Sequence, residues 1–245
     1  MEELLSNTQT GFEDIRKSYE RICADIKQAM ADAGRTDEVR LMAVTKTVSP
    51  DRINYAVSLG ATLLGENRVQ EFLDKRDSYS EAEVHFIGGL QTNKVKYIID
   101  KVTMIHSVDS LRLAQEISRR AGQHGLVMDI LVEVNIGEEE TKGGISAQSV
   151  RDFCSEVLAL PNIRLRGLMT IPPPGCSEEI FAQMQRIFLD IRDNGVQNIN
   201  STNFLFDTLS MGMSGDYAAA IRYGSTIIRI GSGLFGYREY KNLDL

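Results

Sequence analysis

A lysine and a glycine-rich turn stand far apart in this chain, each at the end of an apolar run. Lys46 closes Leu41-Met42-Ala43-Val44-Thr45, and Gly231-Ser232-Gly233 follows Thr226-Ile227-Ile228-Arg229-Ile230. Apolar surroundings desolvate an amine, favour its neutral form and make it a better nucleophile toward an aldehyde. The glycines let backbone N–H groups approach a phosphate without Cβ interference, and Ser232 adds a hydroxyl. Singly, each feature has a plain alternative: a strand-end lysine is often only solvated, and a Gly-Ser-Gly turn often only reverses the chain.

Other residues join them if the fold permits. Ser210 and Gly212, in Leu209-Ser210-Met211-Gly212-Met213-Ser214, precede a segment from Gly215 to Ile221 that reads as a helix capped by Ser214. The start of such a helix offers orphan N–H groups and the positive end of a dipole to an anion. Arg229 is placed to donate its fork to a pyridine nitrogen, with a barrel acid such as Glu133 as the alternative partner. Asn67, in Gly65-Glu66-Asn67-Arg68, is placed to line a ring. Glu133 and Asn135 read as interior polar contacts rather than an acid/base pair. His85 and His106 fall at strand ends, without the HxxxH spacing of a metal site. The cysteines Cys23, Cys154 and Cys176 show no CxxC pattern, so reduced thiols are expected. Cys23 and Cys154 fall in helical apolar patterns as core filler, and Cys176 lies in a Pro-rich loop.

These residues need elements to position them. Steps of three and four from Phe12 through Ile15, Tyr19, Ile22, Ile26 to Ala29 describe one face of a long helix, expected over about 2–34. After it, strand-like runs at 39–45, 61–64, 84–87, 103–106, 130–135, 164–169, 204–210 and 226–230 alternate with helix-like runs. Ser49-Pro50 is a helix start, and Val150, Phe153, Val157 and Ile180, Met184, Ile187, Ile191 keep helical spacing. Alternating strands and helices imply a parallel sheet. With 245 residues and eight strand signals, a single (β/α)8 barrel carrying an extra N-terminal helix is the expected fold, spanning 1–245 as one domain. No GxGxxG follows the first strand to favour a dinucleotide fold. In such barrels sites lie at the C-terminal ends of strands, and phosphate binds in the loops after the last two. Lys46 and the Ser210 and Gly231-Ser232 segments occupy those places, a layout suited to pyridoxal phosphate.

Composition excludes several classes. The chain is 42% hydrophobic and 25% charged, near the averages for globular domains. A net charge of -7 opposes broad binding to nucleic acid or anionic membrane. No run approaches the ~20 apolar residues of a membrane span, and the first residues are too charged for a signal core, so a cytoplasmic location is expected.

The strings TKTVS, GENRVQE, HFIGGLQTNK, EVNIGEEETKGG, GLMTIP, LSMGMSGDYAAAI and GSTIIRIGSGLFG resemble the YggS/PROSC family of pyridoxal phosphate homeostasis proteins, from about Leu41 to Gly236. The resemblance implies a barrel like the N-terminal domain of bacterial alanine racemase, a fold-type III pyridoxal phosphate barrel. It implies that Lys46 forms the internal aldimine and that Arg229 faces the pyridine nitrogen. Ser210, Gly231 and Ser232 match phosphate-loop positions, with Ser232 where threonine is common, and Asn67 and Met211 match positions near the cofactor. Members of the family are regarded as carriers or regulators of pyridoxal phosphate without established turnover. The expectation is therefore a non-catalytic cofactor-binding protein, with pyridoxal phosphate and pyridoxal-phosphate-dependent apoenzymes as partners. The chain ends soon after its last glycine motif, which leads us to expect neither the racemase's second domain nor its opposing base, and a monomer. The alternatives are a pyridoxal-phosphate-dependent racemase or related enzyme, and, less favoured by a lysine on the first strand, a cofactor-free Schiff-base aldolase.

Overall fold

The computed structural model describes residues 12–137, 139, 143–173, 175, 177–196 and 203–236. Helix α1 (Glu13–Asp32) turns Ile15, Ile22, Ile26 and Ala29 inward, as the periodicity predicts. The expected stretch 2–11 of this helix lies outside the described residues, as does Cys176. Strands and helices then alternate: β1 (Arg40–Val44), α2 (Pro50–Ser58), β2 (Leu63–Glu66), α3 (Val69–Lys75), β3 (Glu83–Phe86), α4 (Val95–Ile98), β4 (Met104–Val108), α5 (Leu111–Gln123) and β5 (Met128–Asn135). After a two-residue strand, Ile145–Ser146, come α6 (Val150–Leu158), β6 (Ile163–Met169), α7 (Ser177–Asn194), β7 (Phe204–Ser210), α8 (Tyr217–Arg222), β8 (Ile227–Ile230) and α9 (Ser232–Phe235).

All strand pairs are parallel, in the order β4-β3-β2-β1-β8-β7-β6-β5, and a β4–β5 pairing closes the ring. This is the expected eight-stranded barrel. The closing ladder joins first strand to last, with Met42 opposite Arg229 and Ala43 opposite Ile230. Because side chains alternate along a strand, odd and even positions part company. Ala43, Leu64, Ile228 and Ile230 face outward and pack with Ile15, Ile22 and Ile53 of the flanking helices. Met42, Leu63 and Ile227 meet inside the barrel, and Met104, Leu131 and Met169 form a second interior group. α1 is fixed to the barrel's last units: Tyr217 donates to Asp25 at 2.6 Å, and Arg35 donates at 2.8 Å to the carbonyls of Ile221 and Ser225. Cys154 is fully buried, its thiol pushed up to about 12 by burial, in keeping with a filler role.

The ring is not uniform. Register shifts occur between Ile130 and Leu131 and between Leu165 and Gly167, where β6 bends past its neighbours. Gly167 has φ +147, and a Cβ there would lie 1.8 Å from the carbonyl oxygen of Thr208. Only glycine satisfies both constraints. Gly167→Ala is therefore expected to destabilise the fold by well over the ~1 kcal/mol of an ordinary glycine-to-alanine change in a strained turn. Urea unfolding measures it, and an unchanged midpoint would show that the bulge relaxes freely.

Candidate functional site

A cavity of about 580 Å³ opens at the C-terminal ends of the strands. Lys46 stands on its β1 side and Gly231 and Ser232 on its β8 side, so the amine and the glycine turn share one space. Arg229 forms part of the floor, and Asn67, Asp109, Glu133 and Ser214 complete the polar wall. Five of the seven sequence-predicted site residues thus line one cavity. Ser210 and Met211 are fully buried and do not reach it.

Lys46 is held by a constrained turn. Thr47, directly after it, has φ 60, a left-handed conformation that a β-branched residue adopts at a cost of ~1–3 kcal/mol. The Thr47 amide donates to the Glu71 carboxylate, and Lys75 of α3 donates to Glu71 Oε1 at 2.8 Å and to the Thr45 carbonyl at 2.9 Å. Burial would raise the Glu71 carboxyl, but Lys75 and the Thr47 amide hold it below its ordinary value. Beneath the turn, fully buried Glu66 accepts from Thr45 Oγ1 at 2.6 Å and from the Tyr79 hydroxyl. Burial, then Glu66, pushes the Tyr79 phenol well above its ordinary value, so it remains a donor.

The anion side is built from two loops. Gly233 N–H donates to Ser214 Oγ at 3.0 Å, pinning the β7 loop to the β8 loop. Among the described residues the amides of Ser214 and Gly215 meet no acceptor, leaving two donors at the cavity wall. Ser214 is not the helix cap expected of it. Residues 213–216 form a turn in which the Asp216 carboxylate accepts the Met213 amide at 2.6 Å and the Met213 carbonyl accepts the amides of Asp216 and Tyr217. That turn moves the helix start to Tyr217 and frees Ser214 for the cavity. Gly212, at φ +92, lets its carbonyl accept the Arg229 amide at 3.0 Å, and a Cβ there would meet that of Ala220 at 2.5 Å.

Arg229 is 4% exposed and donates to Ser210 Oγ and to the Thr170 carbonyl, each at 2.8 Å. Burial lowers its guanidinium to about 10, with Glu133 and Asp216 acting in the opposite sense, so it is charged at neutral pH. Its hydrogen bonds go to Ser210 and Thr170, while Glu133 acts on it through charge alone. Glu133 itself is pushed up to about 7 by burial first and then by the Asp109 charge, with Arg229 lowering it. Sequence reasoning placed Glu133 in the interior but missed Asp109, which follows β4 and faces it. Its signal was the strand-end position, read there for His106 alone. Among the described residues no group of three or more His, Cys, Asp or Glu is placed to hold a metal. Nor is any helix among them long and apolar enough to cross a membrane.

The cavity's donors fit pyridoxal phosphate. Asn67 Oδ1 is buried without a partner among the described residues, an acceptor that a ligand's hydroxyl or amine would satisfy. The free amides of Ser214 and Gly215, with the Ser232 hydroxyl, suit a phosphate, and the Arg229 guanidinium suits a ring nitrogen.

Because its folded value lies above 4.5, Glu133 favours the folded state while protonated and withdraws that contribution as pH rises from about 4.5 to about 7. Asp109→Asn removes one of the raising influences and should lower the Glu133 carboxyl toward its ordinary value. Carboxyl-resolved NMR titration of both proteins measures it, and an unmoved Glu133 would separate the two groups electrostatically.

Comparisons with known proteins agree with this geometry. The family model described as "Alanine racemase, N-terminal domain" matches residues 18–239. A protein of Aquifex aeolicus (strain VF5) named "Pyridoxal phosphate homeostasis protein" is 43% identical over 223 residues, covering 90% of this chain and 96% of the relative. A crystal structure of an unknown protein from Bifidobacterium adolescentis superposes with a TM-score of 0.84 at 33% identity, covering 91% of this chain and 95% of that one. PipY of Synechococcus elongatus PCC7942, solved with pyridoxal phosphate bound, superposes with a TM-score of 0.72 at 30% identity, covering 86% of this chain and 100% of that one. The chain belongs to the alanine racemase N-terminal domain family, within its YggS/PROSC branch of pyridoxal phosphate homeostasis proteins.

Proposed function

We propose that this protein binds pyridoxal 5'-phosphate at the C-terminal mouth of its barrel and acts in vitamin B6 homeostasis as a carrier or regulator rather than as a catalyst of rapid turnover. One observation carries the reading: Lys46 and the paired Ser214 and Gly231–Gly233 loops share a single cavity floored by a buried arginine. Lys46 supplies the amine that captures the aldehyde covalently. Gly231, Ser232 and Ser214 take the phosphate, Asn67 a polar group of the ring, and Arg229 the pyridine nitrogen. Ser210 and Met211 serve from beneath, Ser210 by holding Arg229 and Met211 by packing in the core. Bound pyridoxal phosphate supplies a conjugated ring that withdraws electrons from an attached amine. An arginine at the ring nitrogen leaves that nitrogen unprotonated and weakens the withdrawal, which favours holding over carbanion chemistry. Delivery to apoenzymes in the cytoplasm by a monomeric, single-domain chain completes the proposal.

Borohydride treatment after incubation with pyridoxal phosphate, followed by peptide mass analysis, should place the pyridoxyl group on Lys46. Lys46→Ala should abolish the label and the yellow colour. A label elsewhere, or protein that stays colourless, overturns the assignment.

A second reading, a racemase or related enzyme, is favoured by Glu133, a wall carboxyl near neutrality and so able to hold or release a proton at pH 7. Amino acids incubated with the loaded protein in deuterium oxide should show no enzymatic exchange at Cα. Rapid exchange that Glu133→Gln removes would favour the second reading.

A further inference from the structure

The guanidinium at the cavity floor is the last member of a buried polar line that runs through the barrel. Arg229 Nη1 donates to Ser210 Oγ at 2.8 Å, and Ser210 Oγ lies 3.1 Å from His106 Nδ1. His106 Nε2 lies 2.9 Å from His85 Nδ1, and His85 Nε2 lies 2.7 Å from Glu83 Oε1. Ser210, His85 and His106 are each 0% exposed. Glu83 ends the line at the opposite face of the barrel, where it pairs with Arg40 and borders a separate cavity of about 350 Å³.

Donor counting fixes the direction of every bond. Glu83 is a carboxylate at neutral pH, since His85 and Arg40 hold it down to about 2 against burial. It can only accept, so His85 Nε2 carries a hydrogen. Burial disfavours a charged imidazole here, so His85 Nδ1 is a lone pair and must accept from His106 Nε2–H. His106 Nδ1 is then also a lone pair and takes the Ser210 hydroxyl hydrogen, leaving Ser210 Oγ free to accept from Arg229. Each link donates toward Glu83, from the cation at one end to the anion at the other. A reversed histidine would set two lone pairs or two hydrogens face to face in a site with no water-facing surface.

We propose that His85 and His106, both neutral with hydrogen on Nε2, form with Ser210 and Glu83 a one-way donor chain that sets the orientation of the Arg229 guanidinium in the cavity. These are positioning residues. Thr170 fixes one arm of the guanidinium and the chain fixes the other, so the plane of the fork is determined from below before any ligand arrives. The inference deepens the pyridoxal phosphate reading and rests on it only in the second arm of its test.

In the first arm, 15N-labelled histidine in the cofactor-free protein reports the tautomers. Both buried rings should show a protonated Nε2 and an unprotonated Nδ1 at neutral pH, and Ser210→Ala should move the His106 Nδ1 resonance. A hydrogen on Nδ1 of either ring, or a doubly protonated His85, overturns the chain. In the second arm, the absorption spectrum and affinity of added pyridoxal phosphate are compared across variants. His106→Phe, which cuts the chain, should displace the absorption band and weaken binding by about tenfold, the scale of one charge-assisted hydrogen bond. Ser118→Ala, which removes a buried hydrogen bond to Pro161 away from the cavity, should leave the spectrum unchanged. Equal spectral effects from the two variants, or none from His106→Phe, would reduce the line to a structural filler. The tautomer result stands without any cofactor, so failure of the chain and failure of the cofactor reading are told apart.

Discussion

The site depends on one ladder of backbone hydrogen bonds, that between the first strand and the last. Its register sets Met42 opposite Arg229 and Ala43 opposite Ile230. Lys46 and Gly231 follow directly in the loops above. Parallel closure is a non-local event, and its entropic cost is met only when apolar surface on both sides of the ladder is buried. Inside, Met42 meets Ile227; outside, Ala43, Ile228 and Ile230 take the apolar face of α1. The N-terminal helix is in this sense part of the site. It covers the closing strands, and through Arg35 and Tyr217 it is tied to the unit that ends in the anion loop.

A barrel interior is a packed core, so charge placed there must be matched. Here the matching is arranged in levels. At the N-terminal face Arg40, Glu83, Asp129 and Arg166 pair with one another, Arg166 reaching Asp129 at 2.5 Å. In the middle sit the two apolar groups around Met42 and Met104. At the C-terminal face Arg229, Glu133 and Lys46 line open space. The charges at the N-terminal face also border a cavity but are satisfied by one another, whereas at the C-terminal face Asn67 Oδ1 meets no partner among the described residues, and that is where a ligand has something to bind.

Much of this was legible in the sequence, and the misses have particular causes. All eight strands were found from alternation of apolar runs with turns. The second was expected over 61–64, yet it runs over Leu63–Glu66 with Gly65 inside it: a Cβ there would meet Met42 Sδ at 2.6 Å, so the glycine serves packing. The fifth was expected to begin at Ile130. It begins at Met128, since Asp129 bonds Arg164 at 2.6 Å and Arg166 at 2.5 Å across the neighbouring strand. Lys46, Asn67, Arg229, Gly231 and Ser232 reached the cavity because strand-end position decides that, and strand ends are visible in a sequence. Ser210 and Met211 precede their strand's turn and point into the packed layers, an alternation of sides that a one-residue uncertainty in strand phase conceals. The roles of His85, His106 and the Thr47 clamp were invisible because each depends on a partner more than twenty positions away: His85 on His106, His106 on Ser210, and Thr47 on Glu71.

That clamp bears on how the lysine is held. A lysine on a mobile loop would wander. Lys46 is half-buried, on a turn whose next residue is held in a left-handed conformation by a carboxylate that also binds Lys75. The strain at Thr47 is offset by that charge-assisted bond and by the Thr45 and Glu66 contacts beneath it, so the turn has one conformation instead of several. The position of the lysine therefore comes from contacts on the strand and helix of the first two units, while Ser214, Gly231 and Ser232 come from the last two, and closure of the ring brings them to one cavity.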